Sequence, residues 1–303
     1  MNQPAASRFG VPALVLASVL WGTTGTAASF LPDAVSPLAI GASTMTVGGI
    51  LLFLVSARQS LATLRDPRAR RWLAIGAVGV FVYPLAFYSA MDQAGVAIGN
   101  VVALGSGPIF SALFEWLWER HRLSLRWALC AGIAIVGVVL LSTGRAAERG
   151  TDGNVLLGVA LGLLAGIAYA LFTYASTRVL ALGHPSRGVM GGLFGLGAVL
   201  LAPVLIATGA PLLAQPQSVA IAAYLAVGPM FVAYLLFGFG LRSIRSSVAT
   251  TVTLIEPVVA AALAILIVGE RLEWTGWLGL ALILVGVTLL VSARETSKPS
   301  GAA

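Results

Sequence analysis

The sequence predicts an all-α integral membrane protein: ten transmembrane helices in two inverted five-helix repeats (5+5), with both the N- and C-termini cytoplasmic. Composition, the placement of basic residues and an internal repeat carry that prediction. Of 303 residues, 58% are apolar and 10% charged, against roughly 45–50% and 25% in a soluble domain. The mean hydropathy is +0.96, and a water-facing surface cannot be built from such material. The 35 glycines and 14 prolines agree, because both residues are more frequent in membrane helices than in soluble ones. The single cysteine, Cys130, excludes an intramolecular disulfide.

A helix crossing about 30 Å of hydrocarbon needs about 20 mostly apolar residues. Ten stretches bounded by charge, proline or glycine qualify: 10–31, 37–57, 72–91, 95–114, 125–143, 155–176, 187–208, 218–240, 246–269 and 274–292. The first exceeds the roughly 7–15-residue apolar core of a cleaved signal peptide. It also carries Trp21-Gly22-Thr23-Thr24 at its centre, which suits a retained helix facing a cavity. What remains suffices for short connections, so no soluble domain is expected.

With the N-terminus inside, 15 of the 18 basic residues are cytoplasmic: Arg8, Arg58, Arg65, Arg68, Arg70, Arg71, Arg120, Arg122, Arg126, Arg178, Arg187, Arg242, Arg245, Arg294 and Lys298. Arg145, Arg149 and Arg271 fall outside. This bias follows the positive-inside rule and supports the count of ten, because one missed helix would scramble the later loops. The pI of 10.3 is therefore a topology signal. No nucleic-acid partner is expected, since that requires a basic face on a folded surface.

The two halves match at an offset of 149 residues. Pro108 falls on Pro257, Leu123 on Leu272, Val136-Gly137-Val138 on Val285-Gly286-Val287, and Leu140-Leu141 on Leu289-Leu290. One residue out of register, Trp21 answers Tyr169. Five spans per half is an odd number, so the second copy sits upside down relative to the first. The chain divides into a cytoplasmic tail 1–9, a first repeat 10–147, a second, inverted repeat 148–293 and a cytoplasmic tail 294–303. Inverted repeats characterise secondary transporters, which place substrate near the midplane between the halves.

The 5+5 arrangement, with Trp21-Gly22 in the first span, Glu256-Pro257 in the ninth, Gly269-Glu270-Arg271-Leu272 after it and Gly286-Val287 in the tenth, resembles the EamA-type transporters of the drug/metabolite transporter superfamily. The resemblance covers nearly the whole chain. It departs where Glu119-Arg120 follows Pro108 by eleven residues whereas Glu270 follows Pro257 by thirteen, which predicts an irregular connection between the fourth and fifth spans. Within the superfamily the chain is most similar to the bacterial YddG-type exporters of aromatic amino acids. The resemblance implies a multi-pass protein of the bacterial inner membrane that exports a broad range of amino acids, aromatic or neutral ones included, by alternating access around a central cavity. The bilayer and a small-molecule substrate are then its partners, with no cofactor and no obligate protein partner. Export of drugs or other non-phosphorylated metabolites is the alternative, and a passive pore is the alternative of another class.

Proline has no amide hydrogen, so Pro108 and Pro257 free the carbonyls of Leu104 and Thr253 near the middle of their spans. Either alone leaves a packing kink and a functional break both open. Paired interruptions in corresponding spans point to a transport site, which makes Gly105, Gly107, Pro108 and Pro257 the expected hinge. Glu256 is the acidic residue at the centre of a span, and an intramembrane carboxylate suggests function by default. Three roles stand open for it: a protonatable coupling group, a ligand for a substrate ammonium, or a structural hydrogen-bonding tie. Its repeat partner is Gly107, so symmetry supplies no second carboxylate. Trp21, Tyr83, Phe87, Tyr169, Phe172, Phe231 and Tyr234 lie near the midplane. Any one of them is ordinary core, yet with Thr23, Thr24, Asn100 and Ser106 they are expected to form an apolar cavity with a few convergent polar groups. Trp72, Trp116, Trp118, Trp127, Trp274 and Trp277 lie near span ends and read as interface anchors. Gly158, Gly162 and Gly166 on the sixth span, and Gly191 and Gly195 on the seventh, read as close-packing faces.

Arginine and lysine are missing from the middle of every span, which disfavours phosphorylated substrates. The first span also lacks the mid-helix glutamate of small multidrug exporters. Both histidines, His121 and His184, lie in connections, and Gly-x-Ser-x-Gly, His-Glu-x-x-His and phosphate-loop motifs do not occur. Neither an enzyme nor a metal site is expected.

Overall fold

The structure, a computed structural model, describes residues 4–32, 34–94, 96–120, 123–143, 154–268 and 273–296. The Gly269-to-Leu272 motif, His121 and the basic residues Arg122, Arg145, Arg149, Arg271 and Lys298 lie outside the described residues. Those described form helices and connections, with no strand among them. The first half comprises α1 (Pro4–Ala28), α2 (Pro37–Val55), α3 (Ala57–Arg65), α4 (Pro67–Ala94), α5 (Val96–Glu119) and α6 (Leu125–Thr143). The second comprises α7 (Val155–Ala181), α8 (Ser186–Thr208), α9 (Pro216–Leu225), α10 (Ala233–Gly240), α11 (Ser246–Val252), α12 (Glu256–Leu263) and α13 (Trp274–Thr296). A π-turn, Ala226–Val232, joins α9 to α10, and a 3-10 turn, Thr253–Ile255, joins α11 to α12, so each composite makes one span. Nine spans among the described residues are long and apolar enough to cross a membrane. By position, α6 supplies the tenth.

Helix ends follow from local chemistry. The Ser36 hydroxyl accepts from the Ala39 amide at 3.2 Å with Pro37 behind it, and Asn154 Oδ1 accepts from the Leu157 amide at 3.1 Å. Each satisfies one of the four orphan donors of a helix start. Gly183 ends the sixth span with φ +94°, a left-handed conformation that only glycine adopts without a steric penalty. One element was not expected: α3, nine residues carrying Arg58 and Arg65, lies where the sequence suggested a basic loop. It is tied down by Ser56, whose hydroxyl bonds Ser60 at 3.0 Å and the Arg187 carbonyl at 2.9 Å.

Helix packing obeys the repeat. A Cβ on Gly137 would lie 2.7 Å from the Gly279 carbonyl and 2.8 Å from the Ile283 amide, while one on Gly286 would lie 2.7 Å from the Cys130 carbonyl and 2.9 Å from the Ala134 amide. Residues 279 and 283 are the repeat partners of 130 and 134, so α6 and α13 meet across a local two-fold. Likewise α4 packs on α7 as α1 packs on α10, and α5 on α7 as α12 on α1. Small residues permit these approaches, as membrane interfaces require. The expected close-packing glycines are among them: a Cβ on Gly158 would meet the Ala94 amide at 2.7 Å, on Gly166 the Ala103 carbonyl at 2.9 Å, and on Gly191 the Leu52 carbonyl at 2.7 Å.

The spans alternate in direction. At the end where α1 begins (the proximal end), Ser56 after α2 meets Arg187 of α8, Glu119 of α5 pairs with Arg178 of α7 at 3.0 Å, His184 pairs with Asp66 at 2.8 Å, and Arg126 of α6 reaches the Leu289 carbonyl of α13 at 3.3 Å. At the distal end Thr23 of α1 meets Tyr224 of α9 at 2.7 Å and the Asn154 amide reaches Gln93 at 3.4 Å. The described arginines gather at the proximal end.

Two expectations need correction. The helix does not break at Pro108: α5 runs as one α-helix through Gly105, Gly107 and Pro108. Interruption occurs in the second half, where a 3-10 turn precedes Glu256-Pro257 and a π-turn surrounds Pro229. Trp72 is not an interface anchor. It is 8% exposed, lies edge-on to Tyr174 at 5.8 Å, and has the Arg178 guanidinium 5.5 Å from its ring, a cation–π arrangement. Because α4 begins at Pro67 instead of residue 72, Trp72 falls in its second turn and faces α7 instead of lipid. Trp116, Trp118, Trp274 and Trp277 are exposed.

Candidate functional site

Near the middle of the bundle, aromatic rings from five spans join into one network. Trp21 of α1 lies 5.0 Å from Tyr234 and 5.3 Å from Phe237 of α10. Tyr234 touches Phe194 of α8 at 4.2 Å and Phe172 of α7 at 6.1 Å. Tyr83 of α4 lies 5.7 Å from Tyr169, 5.9 Å from Phe172 and 5.4 Å from Phe87, on which it stacks. Apart from that stack, most of the contacts are tilted or edge-to-face, the arrangements favoured by ring quadrupoles.

The irregular turns set the polar groups. In the π-turn the Ala233 amide donates to the Gly228 and Met230 carbonyls instead of to Pro229, its α-helical partner. The Pro229 carbonyl accepts the Trp21 indole N–H at 2.8 Å. A buried carbonyl and a half-buried indole thereby satisfy each other across the two halves. The Tyr169 hydroxyl lies 2.8 Å from Thr253 Oγ1, and Thr253 in turn donates to the Thr250 carbonyl at 3.0 Å, so Tyr169 is the donor to Thr253. That bond anchors the 3-10 turn immediately before Glu256. Glu256 lies within electrostatic range of Tyr83, Tyr88, Tyr169 and Tyr234. Gly22 lets α1 approach its backbone, since a Cβ there would sit 2.9 Å from the Glu256 carbonyl. At the repeat-equivalent position, a Cβ on Gly107 would sit 2.9 Å from the Tyr169 ring. Where one half places a carboxylate, the other makes room for a tyrosine.

Burial separates packing from lining. Tyr169, Phe172 and Tyr234 are buried, whereas Trp21, Tyr83, Phe87 and Glu256 are half-buried and leave surface uncovered. The structure thus brings together six of the seven aromatic residues singled out in the sequence, with Glu256 within electrostatic range of three of them, Tyr83, Tyr169 and Tyr234. Phe231 is half-buried against the core without a ring contact to the network. Thr24 and Asn100 are half-buried on α1 and α5 and make no hydrogen bond to it among the described residues. Sequence reasoning missed Tyr88, Phe194 and Phe237, although Phe237 follows Tyr234 by three residues, a spacing that places both on one helix face. Two residues beyond Trp21 a cavity of about 510 Å³ begins, lined by Thr23, Ala27, Phe30, Tyr224, Leu263 and Ile267 and reaching the distal surface of the bundle. Among the described residues no lysine or arginine enters the network, and no cluster of three metal-ligating side chains occurs.

Of the residues expected to form the cavity, Thr23 alone lines this distal one; its apolar wall with the Thr23 and Tyr224 hydroxyls can hold a small molecule with an apolar body and one or two polar groups. Comparison with known proteins fits that geometry. The model of the EamA-like transporter family matches twice, over residues 8–143 and 156–292. The chain is 30% identical over 294 residues to the uncharacterized transporter YwfM of Bacillus subtilis, covering 96% of each chain. It is 26% identical over 291 residues to the uncharacterized inner membrane transporter YedA of Escherichia coli, covering 93% of this chain and 90% of that one. A solved crystal structure superposes with a TM-score of 0.76 at 22% identity, over 98% of this chain and all of that one, and shares the fold. With one matched domain in each half and the aromatic network between them, the chain belongs to the EamA-like transporter family of the drug/metabolite transporter superfamily.

Proposed function

We propose that the chain is an alternating-access carrier of the bacterial inner membrane that exports a broad range of amino acids, aromatic or neutral ones included. Its termini then face the cytoplasm, because the arginines gather at the proximal end and basic residues are retained on that side. The observation that carries the reading is Glu256 within electrostatic range of Tyr83, Tyr169 and Tyr234, in a ring network to which Trp21 and Phe87 also belong. A carboxylate and aromatic faces attract an ammonium group, and the same rings accept an apolar side chain. Lack of a cation in the network disfavours phosphorylated substrates. Export of larger amphiphilic drugs is the second reading, favoured by the apolar cavity of about 510 Å³ at the distal end.

The test is uptake of a panel of radiolabelled amino acids into liposomes holding the purified protein, with unlabelled competitors and with or without a pH gradient. Saturable, competed uptake is expected, and Trp21→Ala and Tyr83→Ala should weaken the competition. Undiminished competition at normal expression would place the site elsewhere. Uptake that neither saturates nor is competed would identify a pore, and no amino-acid uptake would favour the drug reading.

A further inference from the structure

Glu115 plays no part in the site described above, yet it is a carboxylate only 2% exposed inside a membrane bundle. Taking a charge out of water is costly unless donors satisfy it. Here one carboxylate oxygen accepts from the Ser246 hydroxyl at 2.8 Å and the Ser247 amide at 2.9 Å, and the other from the Ser247 hydroxyl at 2.8 Å. The acceptor sits on α5 and all three donors on the first turn of α11, so the contact joins the fourth span of one repeat to the ninth span of the other. One turn further along α5, Glu119 faces Arg178 at 3.0 Å and Arg245 at 3.9 Å and accepts from the Tyr174 hydroxyl at 3.2 Å. The Trp127 indole closes the same corner on the Ser247 carbonyl at 3.4 Å.

The repeat makes this contact one-sided. An offset of 149 residues takes Glu115 to Ala264, and Ser246 and Ser247 to Ala97 and Ile98; none of these types carries a polar side-chain group. In an inverted-repeat carrier the two halves exchange conformations to open the other side. The exchanged state would therefore close the distal end without any counterpart of this charge-assisted contact, and it would break the contact at the proximal end.

We propose that Glu115, with Ser246 and Ser247, is a latch that holds the proximal end closed and sets the resting carrier open toward the distal side. The proposal rests on the alternating-access reading but not on the identity of the substrate. Charge-assisted hydrogen bonds are about twice as strong as neutral ones, and three of them break together when α5 parts from α11. Ser111 reports that parting: it is fully buried one turn from Glu115 on the same helix face, and its hydroxyl has no partner among the described residues.

The experiment places Ser111→Cys in a Cys130→Ala background and measures labelling by a membrane-impermeant maleimide, applied separately to each face of oriented membrane vesicles. Slow labelling is expected with the latch intact. Glu115→Ala should accelerate it at least tenfold from the proximal face only, Glu115→Gln should give an intermediate rate, and Ser246→Ala/Ser247→Ala should act in the same direction. A tenfold change corresponds to about 1.4 kcal/mol in the opening equilibrium. The double serine variant keeps the test alive if Glu115→Ala does not fold. Unchanged labelling in the latch variants, or equal acceleration from both faces, overturns the latch. Labelling needs no substrate, so a failed uptake panel refutes the amino-acid reading alone.

Discussion

Tyr169→Phe tests whether the site is built as described. The substitution deletes one hydroxyl and keeps the ring, so the contacts to Tyr83 at 5.7 Å and Phe172 at 5.3 Å persist. Its hydroxyl donates to Thr253 Oγ1 at 2.8 Å, while Thr253 retains its own bond to the Thr250 carbonyl at 3.0 Å. No buried donor is orphaned, and the larger penalty for an unsatisfied polar group does not arise. The loss is one interhelical hydrogen bond, about 0.6 kcal/mol on average and up to about 1.7 in membrane proteins. At roughly 2–4 °C per kcal/mol for a large domain, the melting temperature should fall by about 1–7 °C. The assay is thermal unfolding in detergent with a double-mutant cycle against Thr253→Val, which isolates the pair. Coupling of about 0.6–1.7 kcal/mol is expected, together with weaker substrate competition, because the bond anchors the turn that carries Glu256. Coupling within about 0.3 kcal/mol of zero, or a destabilisation above about 3 kcal/mol, the range of losing a whole buried aromatic ring, would refute the reasoning.

Gly162→Leu should destabilise the bundle by about 1–3 kcal/mol, since even a Cβ there would lie 3.0 Å from Val102; expression and melting should fall while the competition profile is retained, and an altered profile at normal expression would contradict a packing role. Glu256→Gln is expected to flatten the response of uptake to an imposed pH gradient, whereas retention of both rate and response would assign Glu256 to a structural tie. At the proximal end, the hydrogen bond from His184 and the backbone amide of Arg68 hold the Asp66 carboxyl below its ordinary value of 3.8. A group depressed on folding contributes stability that is full above its unfolded value and is lost as pH falls through the folded one. Melting of the parent and of Asp66→Asn should therefore differ at neutral pH and converge below about pH 3.8. A difference that persists far below that value contradicts the pairing.

Composition and periodicity determined much of this protein before any coordinates. Ten apolar stretches, the arginine bias and the offset of 149 residues were legible because a bilayer constrains segment length, hydropathy and charge one residue at a time. The aromatic residues were legible for the same reason: Trp21, Tyr83, Phe87, Tyr169, Phe172 and Tyr234 stand at mid-span, and mid-span positions from inverted halves must converge. Neither α3 nor the continuity of α5 through Pro108 was legible, because both depend on neighbours that periodicity does not register. The position of the breaks was likewise a tertiary decision: a proline bends or interrupts a helix according to what donates to the carbonyls left free around it, and only the fold supplies the Trp21 indole at Pro229. Glu115 shows the limit most directly. In the sequence it is one more carboxylate near a charged span end, and only the fold sets it against Ser246 and Ser247, more than 130 residues away. Local patterns specify what each span is made of. Which polar group meets which across the two halves is a property of their packing, and that property was decided in three dimensions.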